Sequence, residues 1–378
     1  MVPNELEIVA KAKKLNYPTP FFFTDKHILA HNYKVFTELF DDAEIYYALK
    51  ANSDPRILVH LDQLGCGFEA ASAFEIEELV KVGVYPHKIT YGTSIKPLDH
   101  IHRAAKLGID RFAADSKEEI EKIAAIAPGA RVFVRAIVDD EGSVFTMSER
   151  FGSPVGEVKD LIILAKKLGL KPYGISFYVG SQATKADRWA QGIATIRPVI
   201  EALKQEGIKL EVINIGGGFP VIYKNHAHAP HLKEIVVEIH NELHKLPYMP
   251  KIIMEPGRGI VASSTVTVAT VIAKTTRNNQ PWLCLDAGVY NCFYEAMIHQ
   301  GATQYKAHPA TLPEAGHEQV SYVITGPTGD SLDIITREAK LPANVMVGDR
   351  LVFENTGAYT VTMASPFNGF PKPALYFD

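Results

Sequence analysis

The sequence predicts a (β/α)8 barrel followed by a β-rich domain, and two patterns support this prediction. From about residue 44 to 255, strand-like runs alternate with amphipathic stretches whose apolar residues recur at spacings of three and four. After about residue 262, short β-rich runs are separated by Gly, Pro and Asn. Eight βα units in about two hundred residues are typical of a TIM-like barrel, which places its active site at the carboxyl ends of the strands.

Eight strand candidates and their intervening helices define the predicted barrel. The strands begin near Glu44, Gly67, Lys88, Asp110, Arg131, Pro172, Lys209 and Lys251. Ser116, with Glu119 three residues later, predicts the start of one helix, and Pro128-Gly129 predicts its end. Ser153-Pro154 predicts the start of another, which Gly169 closes. A doubly wound sheet would need fewer units and a glycine fingerprint after the first strand, which is absent.

The β-rich runs after the barrel predict a second domain. They cover residues 264–268, 281–285, 320–324 and 350–354. An aromatic run at residues 20–24 also predicts a strand, and we expect it to join the second domain. The predicted domains are therefore residues 27–262 for the barrel, and residues 1–26 with 263–378 for the β domain.

Composition narrows the class of protein. The 378 residues are 47% hydrophobic with a formal net charge of -4, which indicates neither a nucleic-acid nor a membrane-surface partner. The three cysteines, Cys66, Cys284 and Cys292, indicate a reducing compartment and form no CxxC metal pattern, so we predict no metal. The charged N-terminus has no signal-peptide core, and no apolar run reaches membrane-spanning length. These features predict a cytoplasmic protein.

Residues that could bind a cofactor or take part in catalysis follow several of the predicted strands. Lys50 ends the first strand, where a long cation is costly without a partner or a function. Ser181 follows the sixth strand, Gly216-Gly217-Gly218 the seventh, and Glu255 and Arg258 the eighth. A lysine for a Schiff base, an acid for a pyridine nitrogen and glycine-backed N–H groups for a phosphate together make a pyridoxal phosphate (PLP) site.

Each of these residues also has an ordinary structural interpretation. Lys50 alone is more often a surface lysine, and three consecutive glycines are common in tight turns. Glu255 could be a surface carboxylate paired with Arg258, although the intervening Pro-Gly turn disfavours that pairing. The occurrence of the whole set at successive strand ends favours the PLP site.

The chain resembles the fold-type III PLP-dependent decarboxylases, which have the alanine racemase fold, and within them the ornithine/lysine decarboxylase group. The matching segments extend over nearly the whole chain: residues 47–52 (YALKAN), 67–72 (GFEAAS), 179–181 (VGS), 216–220 (GGGFP), 255–259 (EPGRG), 326–333 (GPTGDSLD), 354–359 (ENTGAY) and 367–370 (FNGF). The last three favour the ornithine/lysine branch over the diaminopimelate branch.

The resemblance implies roles on the cofactor side of the site. Lys50 would bind PLP as a Schiff base, and Glu255 would pair with the protonated ring nitrogen. Tyr178 stands where the family stacks a histidine on the ring. The residues implied to hold the phosphate are Ser181, Gly217, Gly218, Arg258 and Tyr359.

The resemblance also implies a homodimer with shared active sites. Asp330 of a second subunit would bind the distal amine of the substrate, and Arg150 with Asp333 would form an ion pair between subunits. Asp330 and Asp333 as ordinary turn carboxylates remain the alternative. The other implied substrate-binding candidates are Tyr290, Glu295, His299 and Phe367.

Three positions depart from the family pattern, all in the substrate half of the site. Tyr178 replaces a histidine and cannot become an imidazolium. Gly329 replaces a cysteine associated with correct protonation of the carbanion left by decarboxylation. His299, with Glu295 one turn earlier, stands where an acid is expected. Tyr178 and Gly329 are therefore candidate catalytic positions beside Lys50 and Glu255.

These departures leave two outcomes open. The chain could decarboxylate a basic or polar α-amino acid to an amine, as in polyamine biosynthesis. Alternatively, decarboxylative transamination or oxidative deamination could give an aldehyde. A racemase is less favoured, because the 326–333 and 367–370 segments are absent from that group. A catalytically silent regulator is also less favoured, because the chain retains Lys50, Glu255, Arg258 and Tyr359.

Overall fold

The structure, a computed structural model, describes residues 5–298, 301–310 and 318–378. The chain divides into two units. The barrel unit consists of Tyr33–Pro220 and Ala229–Gly257, and the β unit of Met1–Asn32, Val221–His228 and Arg258–Asp378. Residues 221–228 thus belong to the β unit although they lie within the predicted barrel, because Tyr223 packs in the hydrophobic core of the β unit.

Strands and helices alternate through the first two thirds of the chain, and strands dominate the last third. The strands are β1 (Phe21–Thr24), β2 (Ala43–Ala48), β3 (Gly67–Ala70), β4 (Ile89–Tyr91), β5 (Arg111–Ala114), β6 (Arg131–Arg135), β7 (Ser143–Phe145), β8 (Lys171–Ser176), β9 (Ser181–Ala183), β10 (Val212–Asn214), β11 (Lys251–Met254), β12 (Thr265–Arg277), β13 (Gln280–Leu285), β14 (Ala307–Pro309), β15 (Gln319–Thr325), β16 (Ile334–Pro342), β17 (Arg350–Phe353) and β18 (Ala374–Phe377). The helices are α1 (Glu5–Ala12), α2 (Lys26–Leu39), α3 (Pro55–Gln63), α4 (Ala73–Lys81), α5 (Leu98–Lys106), α6 (Lys117–Ile126), α7 (Val155–Lys167), α8 (Arg188–Gln205), α9 (Leu232–Leu243), α10 (Arg258–Val261) and α11 (Tyr294–Met297).

The barrel unit confirms the predicted (β/α)8 architecture. Eight parallel strands close in the order β10-β11-β2-β3-β4-β5-β6-β8. Most of their residues are buried and apolar, as expected of parallel strands covered by helices. The strands β7 and β9 form a separate two-stranded sheet outside this barrel. The carboxyl ends of the eight strands meet at one end of the barrel, which is where such folds place chemistry.

The caps of two barrel helices follow the sequence signals. The Ser116 hydroxyl accepts from the Glu119 N–H at 3.3 Å and begins α6. The Glu119 carboxylate does not complete a capping box with Ser116; it accepts from the Lys96 N–H and pairs with the Lys96 and Lys122 ammonium groups. The Glu119 carboxylate pairs with the two lysines because, at 3% side-chain exposure, an ion pair is stronger than a hydrogen bond to a neutral backbone N–H. The helix α7 begins at Val155 after Pro154, as predicted.

The β unit contains a mixed sheet of eight strands. Its order is β14-β17-β12-β13-β15-β16, and β1 pairs with both β12 and β18, so the predicted participation of the N-terminal strand is confirmed. The strand β12 extends to Arg277, well beyond the predicted run. Its exposed second half pairs with β13 and has no alternation of apolar and polar residues from which it could be predicted. Asn278 and Asn279 adopt left-handed φ angles of 49° and 61° and turn the chain into β13. Among the described residues, no helix has the length and apolar character needed to cross a membrane.

Candidate active site

Lys50 lies at the carboxyl end of the barrel strand β2. A single 3-10 turn, Leu49–Ala51, follows the strand and buries Leu49 and Ala51, whereas the Lys50 side chain is 46% exposed. Its Nζ donates to Oε2 of Glu69 at 2.7 Å. Glu69 is the next-to-last residue of β3, and its side chain is 4% exposed. Gly92 leaves space for this side chain, since a Cβ at Gly92 would lie 2.3 Å from Glu69 Oε1. The amine is thus held by a buried acid while it remains accessible.

Glu255 follows the barrel strand β11 and is held by its neighbour in the sheet. Asn214, the last residue of β10, donates from Nδ2 to Oε1 of Glu255 at 2.6 Å, and its own Oδ1 accepts from the Gly216 N–H at 2.9 Å. Burial raises the pKa of the Glu255 carboxyl to about 7, and Glu69 acts in the same direction, whereas Asn214 and Lys50 lower it. The carboxyl can therefore gain or lose a proton near neutral pH.

The triple glycine forms a turn that side chains would obstruct. A Cβ at Gly217 would lie 2.5 Å from the Glu255 carbonyl oxygen, and one at Gly218 would lie 2.4 Å from the Gly180 carbonyl oxygen. The Trp189 indole N–H fixes the turn by donating to the Gly217 carbonyl at 3.0 Å. Within the part of the chain that the structure describes, no hydrogen bond uses the N–H of Gly217 or Gly218. Such backbone donors in a glycine turn suit a phosphate.

Tyr178 and Ser181 lie beside this turn in the barrel unit. Atoms of the Tyr178 ring lie 3.1 and 3.6 Å from the positions that Cβ atoms on Gly216 and Gly217 would occupy. The guanidinium of Arg135, at the end of β6, lies 5.7 Å from the centre of the Tyr178 ring, within the range of a cation–π interaction. Ser181 is buried and begins β9. A cation therefore lies beside the ring that replaces the family's histidine.

Arg258 is the centre of a buried cluster in the β unit. Its Nη1 donates to Glu295 Oε2 at 2.6 Å and its Nη2 to Glu295 Oε1 at 2.7 Å, and both side chains are at most 5% exposed. Nη1 also donates to the Tyr223 hydroxyl at 2.9 Å, and the guanidinium lies 4.9 Å from the Tyr359 ring centre. Tyr359 has a left-handed φ of 56°, which marks a constrained position for a bulky residue. Both oxygens of Glu295 thus accept from Arg258, and the predicted contact of Glu295 with the substrate stays a prediction.

A second group of candidates in the β unit surrounds Asp330. The Tyr290 hydroxyl donates to Asp330 Oδ2 at 2.7 Å, and the Tyr290 and Phe367 rings pack with their centres 4.3 Å apart. The Leu332 N–H and the Tyr290 hydroxyl lower the pKa of Asp330, so this carboxylate is an anion at neutral pH. Gly329 is exposed, and a Cβ there would meet no described atom within 4 Å. This group offers a carboxylate, two aromatic faces and open space.

Some predicted positions do not enter these groups. His299 lies outside the residues that the structure describes. Asp333 is 2% exposed and accepts hydrogen bonds from Val289 and Thr328 of its own chain, while the ion pair with Arg150 of a second subunit stays a prediction.

Three residues that form hydrogen bonds with the predicted site residues were not identified from the sequence. Glu69 lies within the matching segment 67–72, and its place at the end of a strand was the available signal. Asn214 gives the same signal, as a lone amide that ends an apolar strand before the glycines. Tyr223 gave none, because it reaches the Arg258 cluster from an irregular segment. All three are partners of predicted residues, and such partners depend on packing that a linear pattern does not encode.

Lys96 is the lysine most easily confused with Lys50. Burial lowers the pKa of Lys96 to about 8, although Glu119 acts in the opposite direction. Its side chain is fully buried, and its ammonium group donates to the carbonyl oxygens of Thr93, Ser94 and Ala113. Lys96 therefore joins the loop after β4 to the strand β5 and is inaccessible to a ligand, whereas Lys50 is accessible.

A family model described as the pyridoxal binding domain of pyridoxal-dependent decarboxylases matches residues 26–262. The chain belongs to this family. It is similar to the lysine/ornithine decarboxylase of Selenomonas ruminantium, with 32% identity over 376 residues that cover 99% of this chain and 93% of the relative. It is also 31% identical to antizyme inhibitor 2 of Xenopus laevis, over 98% of this chain and 83% of the relative.

Solved structures agree with this assignment. The lysine/ornithine decarboxylase of Vibrio vulnificus, complexed with cadaverine, superposes with a TM-score of 0.89 at 28% identity and covers 100% of both chains. The predicted family and the barrel with a β domain are thereby confirmed. The chain is a PLP-dependent amino-acid decarboxylase, and its cofactor is pyridoxal 5'-phosphate.

The residues present fit this cofactor. The accessible Lys50 amine suits a covalent link to an aldehyde. The glycine turn, which a Cβ on Gly217 or Gly218 would distort by its clash with a carbonyl oxygen, presents backbone N–H groups. Glu255 supplies a carboxyl that can share a proton with a ring nitrogen. In the β unit, Arg258 and Tyr359 supply a cation and a phenol suited to a phosphate.

Proposed function

We propose that this enzyme decarboxylates a basic or otherwise polar α-amino acid, of the ornithine or lysine kind, to the amine and carbon dioxide. The observation that carries the substrate class is the Asp330 carboxylate beside the Tyr290 and Phe367 rings. An ammonium group is attracted by the carboxylate charge and by the faces of both rings. Relatives named lysine/ornithine decarboxylase and a neighbour bound to cadaverine support the same class.

The cofactor-side residues have distinct proposed roles. Bound PLP supplies an electron-withdrawing ring that stabilises negative charge at the substrate α-carbon. Lys50 attaches the cofactor, and Glu69 at 2.7 Å can take the proton that Nζ must lose before it bonds to carbon. Asn214 occupies Oε1 of Glu255, which leaves Oε2 to exchange a proton with the ring nitrogen. We propose that Gly217, Gly218, Ser181, Arg258 and Tyr359 hold the phosphate, and that Tyr178 packs on the ring.

A second candidate function rests on Gly329. A proton must reach the α-carbon to give an amine, and glycine supplies no side chain that could deliver or direct it. A proton delivered to the cofactor in place of the α-carbon would, after hydrolysis, give an aldehyde and leave the amino group on the cofactor. Oxidation of the decarboxylated substrate by dioxygen would, after hydrolysis, give an aldehyde, ammonia and hydrogen peroxide. The open space around Gly329 and the presence of Tyr178 in place of the family's histidine support aldehyde formation as the second candidate function.

The deciding experiment follows five products at once. Purified PLP-loaded enzyme is incubated with L-lysine, L-ornithine, L-arginine, L-glutamate and L-alanine, and carbon dioxide, amine, aldehyde, ammonia and hydrogen peroxide are measured. We expect carbon dioxide and amine in equal amounts from a basic substrate. Equal carbon dioxide and aldehyde would establish the second function. Carbon dioxide from none of the panel, with PLP bound, would contradict the proposed substrate class.

We also propose a homodimer in which Asp330 completes the site of the other chain, and a cytoplasmic location in keeping with three free cysteines. Inactive Lys50→Ala chains and inactive Asp330→Ala chains are mixed under conditions of proven subunit exchange. Half of the dimers are then mixed and each has one intact site, so about a quarter of wild-type activity should return. Mixing Lys50→Ala with Glu255→Ala is the control, because both residues lie in the barrel unit and no intact site can form. No recovery in the first mixture would contradict shared sites.

A further inference from the structure

The Asp333 carboxylate lies between two loops of the β unit and bonds to both. Its Oδ1 accepts from the Val289 N–H at 2.8 Å. Its Oδ2 accepts from the N–H of Thr328 at 3.0 Å and from the Thr328 hydroxyl at 2.7 Å. The side chain is 2% exposed. One buried carboxylate therefore fastens residues 286–290 to residues 326–333.

Two glycines leave the space that this carboxylate fills. A Cβ at Gly288 would lie 2.3 Å from Asp333 Oδ1, and a Cβ at Gly326 would lie at the same distance from the same oxygen. The Gly326 N–H also donates to the Asp333 carbonyl at 2.9 Å. Since the carboxylate is enclosed on both sides and bonded at both oxygens, it has one available position.

The two fastened loops carry the candidate substrate residues. Tyr290 follows Val289 directly, and Asp330 comes two residues after Thr328. The Asp333 N–H also donates to the Asp330 carbonyl at 3.1 Å. The separation of the Tyr290 hydroxyl and the Asp330 carboxylate, 2.7 Å, therefore depends on how Asp333 joins the loops.

We propose that Asp333 is a positioning residue for substrate recognition, acting within its own chain through the Tyr290–Asp330 pair. This inference rests on the proposed role of Asp330 in binding the distal amine. In Asp333→Asn, an amide NH2 replaces one acceptor oxygen and faces an N–H donor, so at least one loop is released. A displaced recognition group weakens substrate binding more than the chemical step, which involves Lys50 and Glu255 in the other unit.

The test measures KM, kcat and PLP affinity with L-lysine and L-ornithine. Asp333→Asn should raise KM about tenfold or more while kcat stays within about threefold of wild type. PLP affinity, followed by cofactor absorbance, should stay within about twofold of wild type. Gly288→Ala should reproduce this pattern without altering any charge, because its Cβ displaces the carboxylate. A general structural defect would instead lower kcat and PLP affinity together.

Two controls separate the competing explanations. Arg150→Met should leave KM within about twofold of wild type; a rise equal to that of Asp333→Asn would overturn the inference in favour of the pair between subunits. Asp330→Asn should raise KM. If it does so while Asp333→Asn and Gly288→Ala have no effect, the positioning role is wrong and the proposed substrate site stands. If Asp330→Asn has no effect, the proposed substrate site itself fails.

Discussion

Lys50 with Glu69 in the barrel unit, and Arg258 with Glu295 in the β unit, are ion pairs of nearly equal length, 2.7 and 2.6 Å. They differ in exposure: the Lys50 side chain is 46% exposed and that of Arg258 is 4% exposed. Lysine can lose its proton to a nearby acid and react, whereas the guanidinium keeps its charge and its planar fork fixes a geometry. The same charge pattern is thus suited to reaction in one unit and to positioning in the other.

Removing the reactive cation should have the largest effect on activity. Lys50→Ala lacks the amine that attaches the cofactor, so we expect kcat to fall by about a thousandfold or more. Borohydride reduction of the wild-type holoenzyme followed by mass spectrometry should place the pyridoxyl adduct on Lys50. Lys88→Ala is the matched control, since Lys88 also pairs with an acid in the barrel unit, and it should retain cofactor absorbance and activity. An adduct on Lys96 would contradict the assignment and show that the lowered pKa of a buried lysine determines cofactor attachment more than the accessibility of its amine.

Removing the acid from the enclosed pair should instead affect stability. Glu295→Ala leaves the buried Arg258 without its bidentate partner, and the free energy of unfolding of the cofactor-free protein should fall by about 3–5 kcal/mol. Chemical denaturation measures this change.

A double variant separates stability from cofactor binding. Arg258→Met with Glu295→Leu replaces the pair by apolar side chains and should recover most of the lost stability. Its affinity for PLP should nevertheless remain lower than that of wild type. Its affinity for pyridoxal, which has no phosphate, should stay close to that of wild type. If the double variant binds PLP as wild type does, Arg258 does not hold the phosphate.

The contrast between the two pairs also shows what a sequence reveals. Strand periodicity and the residues at strand ends were sufficient to predict the barrel and the places of Lys50, Glu255 and the glycines. The pairing of Glu295 with Arg258 was not predicted, because only the folded chain shows that both Glu295 oxygens accept from the guanidinium. The extent of β12 was missed since its exposed half follows no apolar pattern and depends on pairing with β13.

Glu255 should affect stability in a pH-dependent way. Its pKa in the folded protein, about 7, lies above the ordinary value of 4.5, so the folded state binds the extra proton and stability falls as the pH rises from about 4.5 to about 7. Cofactor-free Glu255→Gln lacks this loss and should exceed wild type at pH 8 by up to about 3 kcal/mol, with little difference near pH 4.5. Activity should nevertheless fall, because the amide cannot exchange a proton with the ring nitrogen. Unfolding at both pH values measures the first effect.

The exposed Glu206 supplies the control for this prediction. Glu206→Gln should change the free energy of unfolding by no more than about 0.5 kcal/mol at either pH. Equal stability of Glu255→Gln and wild type at pH 8 would show that the Glu255 carboxyl ionises without cost in the folded protein.

The smallest expected effect concerns Gly329, in the open part of the β unit. A Cβ there meets no described atom within 4 Å, so Gly329→Cys should fold with a stability close to that of wild type. The added thiol can direct a proton to the α-carbon, and a tenfold change in product ratio needs only about 1.4 kcal/mol between two transition states. We therefore expect the amine-to-aldehyde ratio to rise in Gly329→Cys, measured with the product assay described above. Gly329→Ser is the matched control, because it adds similar bulk with a much weaker acid. If wild type already forms only amine and Gly329→Cys changes neither products nor rate, the replacement of the family's cysteine is neutral, and proton delivery depends on residues such as Lys50 that lie in the barrel unit.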